Sequence, residues 1–444
     1  MTETLGADVD RLMAEGRLDE AAALVEKQIA QQPGDHEMLH RLALLRLGQK
    51  SHKESIALFE RAIALAPQTA GYRRNFCEVL RGQGRLDEAL AQAEQAVALE
   101  PENGDGYYNL GIIHYDRLEM DKAIAADRRA VALKPQGGGV HFELAEALLM
   151  NGQFEEGWKE YEWRWQIPGV PPLMPASNKP QWDGSPGKKV MLICDQGFGD
   201  TIQFCRFIPQ VLARCPDAMI AASREMQPIV RQVSGAAPMT HRWEDLAEFD
   251  CYCPLSSLPM IFGTDTTNIP LAGGYLKPDA DKLAYWKKKL DALAPPGYRR
   301  IGLAWAGRPT HGNDANRSMT LDDLKPLLEL DDTVLISFQR GPAAVQLGRY
   351  FGKAPVINLA EDFPDVMAIL SCVDRLVSVD TSMAHLAGAL GRPVSVLLAY
   401  APDWRWLLQR TDSPWYQSVT LHRQDRPGDW NSALAKLMAL LKAS

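Results

Sequence analysis

Two turns in the sequence place polar groups where an apolar run gives way to a helical pattern. In the first turn, Asp200 lies between Gly199 and Thr201, a few residues after the apolar run 190–194. A carboxylate in the first turn of a helix can accept a proton from a substrate hydroxyl. The same position suits a residue that only caps the free N–H groups of the helix. The position alone leaves both roles open for Asp200.

The second turn follows the apolar run 376–379 and begins with Asp380. Thr381 and Ser382 would supply hydroxyl and backbone N–H groups at the positive end of a helix dipole, an arrangement that suits a phosphate. His385, one helical turn further on, would reach the same ligand, although a single histidine on a helix is more often structural. This turn therefore predicts that a diphosphate or a nucleotide binds here.

Length and charge limit the class of protein. The chain has 444 residues, which corresponds to about three domains. Its 48 Lys and Arg residues are outnumbered by 56 Asp and Glu residues, which argues against a broad nucleic-acid-binding face. No apolar run approaches the roughly 20 residues that span a bilayer, and residues 1–4 lack the features of a signal peptide. We therefore expect a cytoplasmic protein without a membrane span, and the odd number of cysteines, seven, favours reduced thiols.

The N-terminal part of the sequence repeats with a fixed period. Proline recurs every 34 residues, at Pro33, Pro67, Pro101 and Pro135. Small residues recur with the same period, at Ala21, Ser55, Ala89, Ala123 and Gly157. A period of 34 is that of the tetratricopeptide repeat, a pair of helices with small residues where they cross. Residues 1–165 are therefore predicted to form a solenoid of about five helix pairs, which is a protein-binding surface.

Asn75 and Asn109 occupy equivalent positions in two successive repeats. A side-chain amide donates and accepts at once, so the pair is predicted to hold the backbone of an acceptor peptide on the concave wall of the solenoid. The alternative, that both amides only satisfy neighbouring helices, is equally consistent with the sequence.

After the repeats the pattern changes twice. Residues 166–187 contain six prolines, which predicts a semi-rigid linker. From residue 188 onward, short apolar runs alternate with helical ones, as in parallel sheets with crossover helices. We expect two such α/β lobes, residues 188–280 and residues 297–444, that face each other across a cleft. Both turns described above would then lie at the carboxyl ends of strands, where such sheets bind ligands.

Four segments, taken together and in this order, resemble a known family. They are residues 196–204 (QGFGDTIQF), 305–308 (WAGR) with 313–318 (NDANRS), 380–386 (DTSMAHL) and 401–406 (APDWRW). They look like the TPR-containing glycosyltransferases related to the heptosyltransferase family, glycosyltransferase family 9. The layout also resembles the TPR-bearing flagellin and protein O-glycosyltransferases.

The resemblance implies an α + α/β protein, in which the solenoid is followed by a GT-B pair of Rossmann-like lobes. It implies a metal-independent, inverting transfer of sugar from a nucleotide-sugar donor to a protein that the repeats recruit, with flagellin as one candidate. No cofactor is expected apart from this co-substrate. The first lobe would hold the acceptor and the catalytic base, and the second lobe would hold the nucleotide sugar.

The resemblance also assigns roles to residues of this chain. Asp200 matches the aspartate that is taken as general base, and Asp380, Thr381, Ser382 and His385 match a nucleotide-binding segment in which Ser382 replaces the glycine of heptosyltransferases. Further donor contacts are predicted at Gly199, Thr201, Arg308, Arg317, Ser318 and Gln339. The two arginines are chosen because guanidinium groups suit the developing charge of a leaving phosphate. No metal site is predicted, and residues 403–406 are interpreted as a packed aromatic lid.

Two other functions compete with this hypothesis. The same donor site would serve a heptosyltransferase-like enzyme whose acceptor is a lipid or polysaccharide glycan. A protein of another class, a TPR scaffold with a vestigial transferase domain, would bind partners without turnover.

Overall fold

The computed structural model describes residues 2–170, 178–242, 248–350, 352–358 and 362–443. The chain divides into two compact units. The first comprises residues 1–147 with 166–169, and the second comprises residues 148–165 with 170–444. The boundary therefore falls before the predicted position at residue 165, because residues 148–165 pack with the second unit. Part of the predicted proline-rich linker, residues 171–177, lies outside the described residues.

Residues 2–161 form ten helices, and the consecutive pairs α1/α2, α3/α4, α5/α6 and α7/α8 pack against each other. Their bounds are α1 (Thr2–Ala14), α2 (Leu18–Gln31), α3 (His36–Gly48), α4 (His52–Leu65), α5 (Ala70–Gly82), α6 (Leu86–Leu99), α7 (Gly104–Asp116), α8 (Met120–Leu133), α9 (Gly138–Met150) and α10 (Phe154–Tyr161). The N-terminal helical solenoid that the 34-residue period predicts is therefore present.

The periodic small residues explain how paired helices approach each other. Ala21, Ala89 and Ala123 are completely buried. Ser55 takes the same position in α4, where its hydroxyl donates a hydrogen bond to the carbonyl oxygen of Ala43 in α3 at 2.7 Å. A larger side chain at these positions would separate the two helices of a pair.

A left-handed residue ends the first helix of every pair. The backbone has a positive φ at Gly16, Lys50, Gly84, Leu118 and Gly152, which again lie 34 residues apart. Glycine adopts this conformation without strain, whereas an L side chain costs roughly 1–2 kcal/mol. Two of the five turns therefore carry a residue that the backbone geometry disfavours.

The second unit contains two fully parallel sheets among its described residues. The first sheet has the strand order β3-β2-β1-β4, and the second sheet has the order β10-β9-β8-β5-β6-β7. The strands are β1 (Val190–Ile193), β2 (Met219–Ala221), β3 (Met239–Thr240), β4 (Cys251–Pro254), β5 (Arg299–Ala304), β6 (Thr333–Ser337), β7 (Val356–Asn358), β8 (Arg375–Val379), β9 (Val394–Leu398) and β10 (Val419–Arg423). The predicted α/β region with parallel sheets is confirmed.

Both strand orders reverse direction at one point, between β1 and β4 in the first sheet and between β5 and β8 in the second. Ligands of doubly wound sheets bind outside the carboxyl ends of the strands at such a point, because the connecting segments leave in opposite directions there. The connections that follow β1 and β8 are the two turns that the sequence singled out.

The described part of the second unit contains ten further helices, nine of them before or between strands and α20 after β10. They are α11 (Phe198–Phe204), α12 (Ile208–Arg214), α13 (Gln227–Ser234), α14 (Leu258–Ile261), α15 (Ala280–Leu293), α16 (Asp314–Arg317), α17 (Lys325–Leu328), α18 (Phe363–Leu370), α19 (Ser382–Ala389) and α20 (Trp430–Ala443). α17 follows a 3-10 turn and begins next to Pro326. No described helix has both the length and the apolar character needed to cross a membrane.

Three acidic side chains lie close to one another inside the helical unit. Asp127 of α8 is 2% exposed, and its Oδ1 has no hydrogen-bond partner among the described residues. Burial and then the charge of Glu143 raise its pKa well above the ordinary value. Burial also raises the pKa of Glu143 to about 7 and raises the pKa of Asp116, although Arg81 donates a hydrogen bond to Asp116. These carboxyl groups hold protons that the unfolded chain releases at a lower pH.

We predict that Lys50→Gly stabilises the solenoid. Lys50 is exposed and its φ is +63°, so the glycine relieves backbone strain of roughly 1 kcal/mol and removes no buried contact. The reverse change, Gly84→Ala at the equivalent turn, should destabilise the protein. Urea unfolding followed by circular dichroism measures both changes, and equal midpoints for the three proteins would contradict the strain argument.

We also predict that the helical unit loses stability as the pH rises from about 5 to about 8. A folded-state pKa above the unfolded value gives stability that is complete below the unfolded pKa and is lost as the pH passes the folded pKa. Asp127→Asn should flatten this dependence and stabilise the protein at the upper pH by on the order of 1 kcal/mol. Glu94→Gln, at an exposed position in α6, is the control and should leave the slope unchanged.

Candidate functional site

The two turns that the sequence selected lie against each other. An added Cβ at Gly199, in the first turn of α11, would stand 3.0 Å from His385 Cδ2 and 3.6 Å from Ser382 Cα. Both of these residues belong to α19, which follows β8 of the second sheet. The carboxyl ends of the two sheets therefore meet, as the prediction of a shared cleft requires, and a side chain at position 199 would crowd the ring of His385.

The carboxylate of Asp200 is held on both oxygens and is partly accessible. Its Oδ2 accepts a hydrogen bond from the backbone N–H of Gly197 at 3.0 Å. Its Oδ1 accepts one from Arg405 Nη2 at 2.5 Å, and the side chain keeps 22% of its exposure. Asp200 is therefore both a helix cap and an oriented carboxylate, so the two roles that the sequence left open occur together.

Arg405 is the residue that joins the carboxylate to the second sheet. Its guanidinium bonds both oxygens of Asp403 at 2.9 Å each and donates from Nε to Gln203 Oε1 at 2.9 Å. It also lies 4.4 Å from the centre of the Trp404 ring. Burial opposes the charge, but the carboxylates of Asp403 and Asp200 raise the pKa of Arg405 well above its ordinary value. The guanidinium is therefore permanently charged and fixed.

Sequence reasoning assigned no role to Arg405, although it lies inside the fourth segment of the resemblance. The predicted aromatic packing of that segment is present, because Trp404 and Trp406 are 1% and 0% exposed. The indole rings thus offer no free face to a sugar. The arginine between them reaches Asp200, which is 205 residues away in sequence, and no local pattern reveals such a contact.

The first turn of α19 has N–H groups that no side chain caps. Thr381 is the N-cap residue with an extended backbone, and its side chain accepts no bond from the helix. Its hydroxyl instead lies 3.0 Å from Ser378 Oγ. Since the first N–H groups of a helix have no partner within it, this end can receive an anion.

His385 is buried and Asp380 is largely buried, with 7% and 14% of their side chains exposed. Burial and the nearby Asp403 raise the pKa of Asp380 to about 6. Burial, and then the charge of Arg405, lower the pKa of His385 to about 3, so its imidazole is neutral at physiological pH. His385 Nδ1 lies 3.0 Å from the hydroxyl of Tyr416, and its Nε2 lies 3.8 Å from Asp380 Oδ1. In this structure His385 packs between the two sheets.

The loop after β5 carries the remaining predicted donor contacts. Arg317 has a buried Nε that lies 3.5 Å from Asp314 Oδ1 and has no hydrogen-bond partner in the described part of the chain. Arg308 is exposed. Ser318 accepts a hydrogen bond from Gly307 N–H at 2.8 Å and donates one to Asp314 at 2.9 Å. Arg317 thus has an unused donor, whereas Ser318 shapes the loop.

The side chain of Gln339 holds the same loop through hydrogen bonds to its backbone. Its Oε1 accepts from the N–H groups of Trp305 and Ala306, both at 2.9 Å, and its Nε2 donates to the carbonyls of Ala306 and Arg340. All of its donors are engaged with the backbone. A direct contact between Gln339 and a nucleotide would require one of these bonds to break.

A helix of the repeat region also reaches the turn that carries Asp200. Tyr161, the last residue of α10, is 3% exposed, and its hydroxyl accepts a hydrogen bond from Gln196 Nε2 at 3.2 Å. Its ring packs edge-on against Trp404, with 6.0 Å between ring centres. Burial raises the pKa of Tyr161 to about 12, so the phenol stays protonated. No local pattern in the sequence signals this contact.

The two asparagines of the solenoid are engaged with neighbouring helices. Asn109 is 5% exposed and donates to the carbonyl of Arg74 at 3.1 Å and to Glu78 at 3.2 Å. Asn75 Nδ2 lies 2.9 Å from His40 Nε2. Of the two interpretations that the sequence allowed, these contacts favour the structural one.

The described residues contain no group of three or more metal-ligating side chains. Asp279, part of a sequence that superficially resembles a metal-binding motif, accepts from the N–H groups of Asp281 and Lys282 and caps α15.

Comparison with known proteins identifies the repeats in the first part of the chain. Residues 8–70 and 78–138 match the family model described as tetratricopeptide repeat. This confirms the interpretation of the 34-residue period. The chain carries tetratricopeptide repeats in these residues, and an α/β region of parallel sheets follows them.

One curated relative is Protein FlbA of Caulobacter vibrioides, with 26% identity over 343 residues, 68% of this chain and 55% of FlbA. The chain thus spans about half the length of that relative. Among solved structures, the TPR protein TTC0263 of Thermus thermophilus is 24% identical, with a TM-score of 0.34, and covers 38% of this chain and 93% of its own. PilF of Pseudomonas aeruginosa is 19% identical, with a TM-score of 0.36, and covers 38% of this chain and 79% of its own.

We predict that Gly199→Ala destabilises the second unit by about 1–3 kcal/mol, because the new methyl group overpacks the contact with His385. Gly312→Ala is the matched control, since a Cβ there would meet nothing within 4 Å. Urea unfolding of the two variants and the wild type measures the difference. Equal stability of the two variants would mean that the sheets do not meet at position 199 in solution.

Proposed function

We propose that this chain is a metal-independent, inverting glycosyltransferase of GT-B architecture that transfers a sugar from a nucleotide-sugar donor to a protein acceptor. The observation that carries the proposal is the contact at Gly199, which puts Asp200 beside the uncapped end of α19. The carboxylate of Asp200 can accept a proton, and the end of α19 can bind a phosphate. Glycosyl transfer needs two such groups on opposite sides of the anomeric carbon.

The chemistry follows from this placement. Asp200 takes the proton from the acceptor hydroxyl while the hydroxyl oxygen forms a bond to the anomeric carbon. The bond from that carbon to the donor phosphate breaks, and its electron pair leaves with the phosphate oxygen. Because attack and departure occur on opposite faces, the configuration inverts. Each oxygen of Asp200 has one bond to Gly197 or Arg405 and retains a second lone pair for the proton.

The leaving nucleoside diphosphate is negatively charged, and two features support its stabilisation without a metal. The N–H groups at the start of α19 lack a side-chain cap, and Arg317 has a donor without a hydrogen bond. A guanidinium and a helix N-terminus are both suited to phosphate oxygens. Transfer is therefore expected to persist in the presence of a chelator.

The repeats support a protein as the acceptor, because tetratricopeptide solenoids bind polypeptides. Flagellin stays a candidate through the family resemblance. A lipid or polysaccharide glycan is the rival acceptor. Removal of residues 1–165 cannot distinguish the two, since residues 148–165 pack with the second unit and include Tyr161. The full-length chain can instead be co-expressed with flagellin, and mass spectrometry then measures whether a sugar has been added to the flagellin. This experiment leaves the site intact.

We predict that Asp200→Asn lowers the rate of transfer by roughly 10²–10⁴-fold, the usual range for a general base. The substitution keeps the shape of the side chain, so the dissociation constant of the nucleoside diphosphate should stay within about twofold. Label transfer from a panel of nucleotide sugars and calorimetry measure the two quantities. Equal transfer by the variant and the wild type would remove Asp200 from the chemistry.

Nucleotide binding itself separates the enzyme from a scaffold. Arg317→Ala should weaken binding of a nucleoside diphosphate by on the order of tenfold, with a larger effect at low salt. Arg308→Ala should have a smaller effect, because Arg308 is exposed and its charge is screened. If the wild-type chain binds no nucleotide in calorimetry, the scaffold function replaces the proposed one.

A further inference from the structure

A groove of about 930 Å³ lies beside α10 in the second unit. One wall consists of residues 152–156, 158 and 159, which belong to the turn before α10 and to α10 itself. The other wall consists of Met260 and residues 263–265. Phe154 and Trp158 are buried beneath it, and Trp158 Nε1 donates to the carbonyl of Thr264 at 2.7 Å. This hydrogen bond ties the two walls together, so the groove has a fixed shape.

The rim of the groove is acidic. Among the described residues that line it, Glu155, Glu156 and Asp265 are acidic and Lys159 is basic. Lys159 is already paired with Glu155 at 2.9 Å, and this bond lowers the pKa of Glu155. Hydrogen bonds from Thr267 lower the pKa of Asp265. The formal charge of the lining is therefore −2 at neutral pH, three carboxylates against one ammonium group.

This charge selects the kind of occupant. An anionic nucleotide sugar is repelled by such a rim, whereas a lysine or arginine side chain is attracted to it. The apolar stem of such a side chain can lie against Phe154 and Met260 while its charge stays at the rim. A polypeptide with a basic residue beside an apolar one has both features.

The floor of the groove continues toward the candidate catalytic carboxylate. The ring of Trp158 packs edge-on against Trp404, with 5.2 Å between ring centres. The next residue, Arg405, holds Asp200. A segment bound in the groove would thus lie on the same packed layer that positions the proposed base.

We infer that this groove binds a cationic segment of the acceptor polypeptide, with a lysine or arginine at the acidic rim and a neighbouring apolar side chain on the floor. The acceptor role of the bound segment rests on the proposed function. In addition to the repeats, the groove formed by α10 and residues 260–265 would then contact the acceptor.

The test uses the full-length chain and a fluorescein-labelled peptide with a Lys-Leu-Lys core between Gly-Ser flanks. The reference probe is the same peptide with Glu at both lysine positions. Fluorescence anisotropy at low and high salt should detect binding of the lysine peptide only, and the binding should weaken as salt increases. Equal binding of both peptides, or no binding of either, would overturn the inference.

A variant with reversed charge at the rim provides the second part of the binding test. Glu155→Lys combined with Glu156→Lys should weaken binding of the lysine peptide by on the order of tenfold at low salt. Glu329→Lys, an exposed acidic position outside the groove, is the control and should bind like the wild type. Circular dichroism checks that all three proteins are folded. Unchanged affinity in the rim variant would place the peptide elsewhere on the chain.

The anisotropy assay needs no donor and no turnover, so its outcome is independent of whether the chain is an enzyme. If the chain binds the peptide but no nucleotide, the transferase function is refuted and the inference that the groove binds a cationic peptide stands. In transfer assays with a protein acceptor, the rim variant should raise KM several-fold and leave kcat unchanged, because the groove binds the acceptor equally before and during the reaction. A fall in kcat alone would contradict a docking role.

Discussion

The charge of Arg405 constrains the whole α/β region. A guanidinium that is 7% exposed must be paired, because an unpaired buried charge costs several kcal/mol. Its partners come from two places, Asp403 beside it and Asp200 with Gln203 on a helix that follows the other sheet. The pairing therefore fixes the distance between the carboxyl ends of the two sheets. It also fixes the rotamer of Asp200, so the stability of the interface and the orientation of the proposed base have one cause.

The same interface includes the end of the helical repeats. Trp158 packs against both Trp404 and Trp415, and Arg164 donates to the hydroxyls of Ser256 and Ser257 after β4. Ser256 in turn donates to Asp195, which lies just before the turn that carries Asp200. A continuous set of aromatic contacts and charge-assisted hydrogen bonds thus runs from residues 158–164 to that turn. The last helix of the repeats is a structural part of the α/β region.

Several residues that the sequence presented as ligand contacts have their donors engaged within the protein. Gln339 and Ser318 hold the loop after β5, and His385 packs against Tyr416. The amides of Asn75 and Asn109 bond to neighbouring helices. In this structure these side chains hold neighbouring loops and helices in place. Among the described residues that were predicted to contact the donor, Arg317 keeps a buried donor without a hydrogen bond, and the first turn of α19 has no side-chain cap.

The sequence by itself determined the repeat architecture, the parallel sheets and the two polar turns, because each depends on local periodicity: 34 residues for the helix pairs, and short apolar runs followed by helices for the strands. It could not reveal Arg405 as the partner of Asp200, nor Tyr161 beside Gln196. These pairs are far apart along the chain, and their contact depends on how two sheets and a helix pack. Only the tertiary structure decided the boundary between the units and the groove beside α10, since both result from which buried surfaces meet.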